Sequence, residues 1–137
     1  MRFRLLIGAS LICALFAVDV AAADAATKRV FKGNTAQDRS IRVAVMPRSI
    51  KIMRFKAELR CRDGSILIVD ESGFLRTSVR RNGSFRDAQF GRTDEVFIRG
   101  KKRKRVVRGR LRVKDKLNNG TRCSSRWIKF TAKQRGR

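Results

Sequence analysis

The densest concentration of binding-capable side chains is Arg99-Gly100-Lys101-Lys102-Arg103-Lys104-Arg105. Cations at this density attract anionic polymers, because each neutralised anion releases condensed counterions. The run lies between Val96-Phe97-Ile98 and Val106-Val107. These apolar stretches read as strands, so the sequence predicts a hairpin whose tip projects Lys101 to Arg105 into solvent. Arg108, Arg110 and Arg112 follow at every second position, and in a strand they share one face. Arg54, Lys56 and Arg60 do likewise in an earlier segment. Whether the two sets merge into one basic stripe depends on strand pairing, which the pattern leaves open. A solubilising loop and a proteolytic processing site are competing readings of the same run.

Catalytic chemistry is argued against by composition. The chain has no histidine and no tyrosine, so the usual base near neutral pH is missing and Ser-His or Cys-His pairs cannot form. Two cysteines joined to each other leave no nitrogen or sulfur ligands for a tetrahedral zinc, and no Walker-type loop occurs. No cofactor, metal or small-molecule substrate is expected. The carboxylates Asp70, Glu71, Asp94 and Glu95 keep a two-carboxylate hydrolase formally open. Each pair is adjacent in sequence, however, and neighbouring strand residues point to opposite faces. They read as loop residues and salt-bridge partners of a basic surface.

Aromatic residues suited to stacking on bases are few. The single tryptophan, Trp127, is expected to pack near the cysteine bridge, and most of the nine phenylalanines occupy apparent core positions. Charge binding is therefore favoured over base reading. Asn82-Gly83-Ser84 and Asn119-Gly120-Thr121 match the glycosylation acceptor pattern, but Asn-Gly between strands reads first as a turn.

The elements that must hold these residues begin after an export signal. Met1-Arg2-Phe3-Arg4 is followed by an uncharged apolar stretch from Leu5 to Val18 and by Ala21-Ala22-Ala23, the order of a cleavable signal peptide over residues 1–23. Cleavage after Ala25 or Ala26 fits the same rule. Cys13 lies inside the apolar stretch, a poor place for lipidation. No second hydrophobic segment follows. Removal of residues 1–23 takes away two of the 35 basic and one of the 11 acidic residues, lowering the formal charge from +24 to +23. The remaining residues, 24–137, suffice for one domain, whose compaction is opposed by like charge. Cys61 and Cys123 are then the only cysteines, and an oxidising destination predicts a disulfide between them, against free or intermolecular thiols.

From Lys28 onward the hydrophobic residues recur with period two. Ile41, Val43 and Val45 form one set, and Met53, Phe55, Ala57, Leu59 and Cys61 another; Val107, Leu111 and Val113, then Ile128, Phe130 and Ala132, repeat the pattern. Ile66 to Val69 is continuously apolar and reads as a strand covered on both sides. Asp63-Gly64, Ser72-Gly73, Asn82-Gly83 and Asn119-Gly120 supply turns. The pattern predicts an all-β fold, a single small antiparallel sandwich or barrel.

Phe31-Lys32-Gly33-Asn34-Thr35-Ala36-Gln37, Cys61-Arg62-Asp63-Gly64-Ser65, Asn82-Gly83-Ser84-Phe85 and Gly120-Thr121-Arg122-Cys123, followed by Trp127 to Ala132, span most of this domain. In these motifs the chain resembles a group of small exported bacterial β-domain proteins. The resemblance implies export, β structure and the disulfide, and implies no activity.

The sequence thus points to a secreted or periplasmic, non-enzymatic cationic β domain. Its expected partner is an anionic polymer, such as a cell-envelope polyanion, extracellular nucleic acid or a sulfated glycan, contacted by Arg99, Lys101 to Arg105, Arg108, Arg110 and Arg112. The alternative is a protein-binding envelope module or inhibitor for an acidic protein.

Overall fold

The computed structural model describes residues 28–73 and 76–135. The expected signal peptide, Cys13 and the alternative cleavage sites lie outside them. Among the described residues all regular structure is strand: β1 (Arg29–Thr35), β2 (Ser40–Val45), β3 (Ser49–Cys61), β4 (Ile66–Ser72), β5 (Arg76–Ser78), β6 (Ser84–Phe90), β7 (Asp94–Arg103), β8 (Val106–Lys116), β9 (Arg122–Ser124) and β10 (Ile128–Gln134). None of their residues forms a helix long and apolar enough to cross a membrane.

Six strands close a barrel in the order β10-β1-β2-β3-β9-β8, the ring being completed by β8 pairing with β10. The strand pairs are antiparallel. From β8 the sheet continues through β7 to β6, while β4 and β5 pair with β3. The hydroxyl of Thr77 in β5 donates to the Asp87 carboxylate of β6 at 2.9 Å, joining the two extensions. The alternating sets expected from sequence fill the interior: Ile41, Val43, Phe55, Leu59, Val107, Leu111 and Phe130 are all buried, together with Phe31, Phe85, Val96 and Ile98. The glycines of the four expected turns take positive φ angles of 83–86°, which only glycine adopts without strain.

Two expectations about packing are corrected. The face expected from Met53 to Cys61 holds for Phe55, Ala57, Leu59 and Cys61 but not for Met53, because the register shifts between Arg42, opposite Arg54, and Val43, opposite Ile52. Met53 is the extra residue of a β-bulge, and Ile50 and Ile52 take the core positions on its far side. The apolar run of β4 is not covered on both sides. Among the described residues β4 pairs only with β3, Val69 is buried, and Ile66 and Ile68 are 60% and 54% exposed.

Cys61 and Cys123 form the expected disulfide, 62 residues apart in sequence. They are direct cross-strand partners on β3 and β9, so the bond fastens the short β9 at the point where it closes the ring.

Candidate polyanion-binding face

The expected hairpin is present, with β7 and β8 joined by a turn at Lys104-Arg105 and Arg103 opposite Val106. Alternation divides its cations. Val96 and Ile98 are buried, so Gly100 and Lys102 lie on the same inner side of β7. Phe97, Arg99, Lys101 and Arg103 therefore face outward. Lys102 departs from the expected solvent-directed cluster: it is half-buried, and its ammonium donates to the Met46 carbonyl at 3.4 Å.

Outward residues of neighbouring strands line up. Arg86 of β6 lies opposite Arg99 of β7, Arg99 lies opposite Arg110 of β8, and Arg110 lies opposite Lys129 of β10. Four cations therefore stand in one row across four strands, in steps of about 4.8 Å. Lys101 and Arg108 form a second row toward the hairpin tip. A shallow groove of about 690 Å³ crosses both rows, and every charged residue lining it is a cation. Among the described residues, none of the six cations in these rows makes an ion pair.

Beneath the groove, Gly100 and Gly109 are direct partners. A methyl group on Gly109 would come within 2.7 Å of the Phe130 ring, and one on Gly100 within 2.5 Å of the Phe85 ring. The glycines thus let two core phenylalanines press against the sheet from inside, directly beneath the arginine rows.

Trp127 is placed differently from expectation. The break between β9 and β10 is held by Ser125, whose hydroxyl accepts from the Val113 amide and donates to the Arg126 carbonyl, both at 2.8 Å. Arg126 takes a φ of 54°, after which Ile128 turns into the core and Trp127 outward. The indole is 39% exposed, with the Arg99 guanidinium carbon 4.4 Å over its ring. Phe90, 67% exposed, packs edge-on to Phe97 at 5.8 Å, and the Lys114 ammonium lies 5.3 Å from the Phe97 ring. The basic face is therefore flanked by aromatic surface, which the tally of core-like phenylalanines concealed.

The second basic set does not join this face. Arg54 makes two hydrogen bonds to Asp70, at 2.7 and 2.6 Å, and Lys56 stands 3.5 Å from the same carboxylate. The contact with Arg54 holds the Asp70 carboxyl down to about 2 and raises Arg54 further above its ordinary value. Arg112, although outward, is half-buried, and its Nε is buried without a hydrogen-bond partner. The row of outward cations instead gains Arg86 and Lys129, which sequence reasoning missed; each becomes part of it only through register.

Acidic residues gather at the other end of the β7–β8 ribbon. Asp94 and Asp115 are direct partners, on the inner side by the alternation of Val96 and Val113. Glu71 lies opposite buried Phe55 and is pushed above the usual carboxylate range, first by burial and then by the charges of Asp94, Asp115 and Asp70. Glu95 is turned away and pairs with Lys114 at 3.0 Å. The described residues contain no cluster of acidic or cysteine side chains arranged to hold a metal ion.

Known proteins supply no match. No protein family, curated protein or solved structure is similar enough to this chain to place it. The functional reading accordingly draws on the geometry of the face itself.

Proposed function

We propose that this is an exported, non-enzymatic β-barrel that binds anionic polymers, either a cell-envelope polyanion or extracellular nucleic acid, on the outer face of β6, β7, β8 and β10. The observation that carries this reading is the row Arg86–Arg99–Arg110–Lys129. Like charges placed directly opposite across strands destabilise a sheet by roughly 0.2–1 kcal/mol per pair. Three successive pairs of this kind, without carboxylates between them, form a surface whose repulsion a bound polyanion would relieve. The hairpin tip at Arg103, Lys104 and Arg105 extends the same surface. Export is supported by the order of charged, apolar and small residues at the start of the sequence and agrees with the disulfide.

The test is binding of the oxidised protein to heparin, duplex DNA and lipopolysaccharide across salt concentration. The double substitution Arg110→Gln/Lys129→Gln is expected to weaken binding and to flatten the logarithmic salt slope by about two, one for each lost contact. Unchanged affinity and slope in this variant would remove the face from the mechanism. The second reading, a module for an acidic protein partner, draws on the free edge of β4 with exposed Ile66 and Ile68. It predicts one stoichiometric protein partner retained through nuclease treatment and moderate salt.

A further inference from the structure

The mouth of the barrel beside the hairpin holds a cavity of about 900 Å³, which borders the outer groove at Arg80. Three turns wall it: Met46 to Arg48 between β2 and β3, Arg80 to Gly83 before β6, and the β7–β8 hairpin. They are bonded to one another. The Val79 amide donates to the Arg48 carbonyl and the Lys102 amide to the Gly83 carbonyl, both at 2.8 Å. Gly83 is locked in place, since its φ is 83° and a methyl group there would collide with the Lys102 carbonyl.

Every charged side chain lining this cavity is a cation, with Arg29, Arg48, Arg81, Lys102 and Lys104 among them, and none makes an ion pair among the described residues. Lys102 is the informative one. It occupies an inner-face position in the series Val96, Ile98, Gly100, Lys102, where the alternation calls for a residue that seals the core. Its ammonium instead reaches the cavity wall, where, among the described residues, its one hydrogen bond is a long one to a neutral carbonyl. A cation turned inward at a barrel mouth without a counter-charge, and ringed by arginines that present planar donor forks, matches the requirements of a compact multivalent anion. Phe31, Val45 and Val79 form an apolar floor below the cations.

We propose that the barrel mouth is a second anion site, which takes a phosphate monoester or pyrophosphate group with Lys102, Arg48 and Arg81 as its principal contacts. The group belongs either to a soluble ester or to a lipid headgroup whose hydrocarbon meets the apolar floor. Its principal contacts lie outside the row Arg86–Arg99–Arg110–Lys129 that carries the polymer reading, although Arg80 lines both cavities and the hairpin tip borders both.

Titration calorimetry of the oxidised protein with inorganic pyrophosphate, and separately with monomeric dihexanoyl phosphatidic acid, tests the proposal. One equivalent is expected to bind at moderate salt, and Lys102→Met is expected to weaken it about tenfold, the loss of one charge-assisted hydrogen bond. Arg48→Gln/Arg81→Gln, on exposed turns, supplies the same test if Lys102→Met unfolds. The outer-face variant Arg110→Gln/Lys129→Gln should leave pyrophosphate affinity unchanged. Tighter binding of the lipid supports a headgroup site, and tighter binding of pyrophosphate a soluble ester. Non-saturating binding, or equal losses in mouth and face variants, would overturn the proposal by reducing the cavity to part of a general cationic surface. Polymer binding by the same variants is scored separately, so failure of one reading leaves the other distinguishable.

Discussion

Arg99 lies over the ring of Trp127, its guanidinium carbon 4.4 Å from the ring centroid, while on its own strand face it stands directly opposite Arg110. The indole thus holds one member of a repulsive cationic row in place, a contact that contributes about 0.5–1 kcal/mol at an exposed site. Trp127 is the only tryptophan in the chain, so its fluorescence reports on the face. Heparin binding is expected to shift or quench that emission, and Arg99→Gln is expected to alter it in the free protein and abolish most of the response. An emission that ignores saturating heparin would place the polymer elsewhere.

Removing charge from the row should separate binding from stability. Arg110→Gln relieves repulsion from both Arg99 and Lys129, so thermal unfolding at low salt should rise by roughly 2–6 °C while heparin affinity falls. A variant that loses both affinity and stability would show that the arginine serves the fold.

Gly109→Ala tests the floor of the groove. The added methyl meets the Arg99 carbonyl at 2.6 Å and the Phe130 ring at 2.7 Å, contacts too short to absorb without movement of β8 or of the core ring. Overpacking of this kind costs about 1–3 kcal/mol, measurable as a lower urea midpoint. An unchanged midpoint would mean that Phe130 has room to withdraw.

The disulfide closes a loop of 62 residues, which in the chain-entropy picture stabilises the fold by about 4 kcal/mol. Replacing both Cys61 and Cys123 by alanine should lower the unfolding temperature by roughly 15–25 °C. The loss should be larger at low salt, where the like charges of the chain repel most strongly. Equal losses at low and high salt would separate the disulfide from charge containment.

Acid and base act on opposite carboxylates. Asp70 is lowered by Arg54 from 3.8 to about 2, so its contribution is present above pH 4 and disappears as pH falls toward 2. Asp70→Asn should therefore lower the unfolding temperature at pH 6 and have little effect at pH 2. Glu71 is raised by burial and by Asp94 and Asp115; its folded form holds the proton more tightly, and stability is lost as pH rises above 4.5 through the folded value. Glu71→Gln should stabilise the protein at pH 7 and not at pH 3. Unfolding temperatures of the two variants across pH check both signs.

Local chemistry made the strands, the turns and the disulfide legible in the sequence. Side-chain alternation is a property of one strand, so the opposed faces of Val107, Leu111, Val113 and Arg108, Arg110, Arg112 could be assigned without knowing any neighbour. Asn-Gly and Asp-Gly mark turns by their own backbone preferences, and with Cys13 read as part of a signal peptide, Cys61 and Cys123 had only each other as intramolecular partner. What required the tertiary structure was which faces meet. Arg86 and Lys129 join Arg99 and Arg110 through the registers of three strand pairs, and Asp94 meets Asp115 across a hairpin. A single extra residue at Met53 reversed the inside and outside of the first half of β3, because one step of register exchanges the two faces. Arg54 and Arg110 look alike in sequence, each an outward cation on an alternating strand. Only pairing gives Arg54 an aspartate from β4 and leaves Arg110 between two further cations, and register is fixed by the packing of the whole barrel rather than by the residues of either strand.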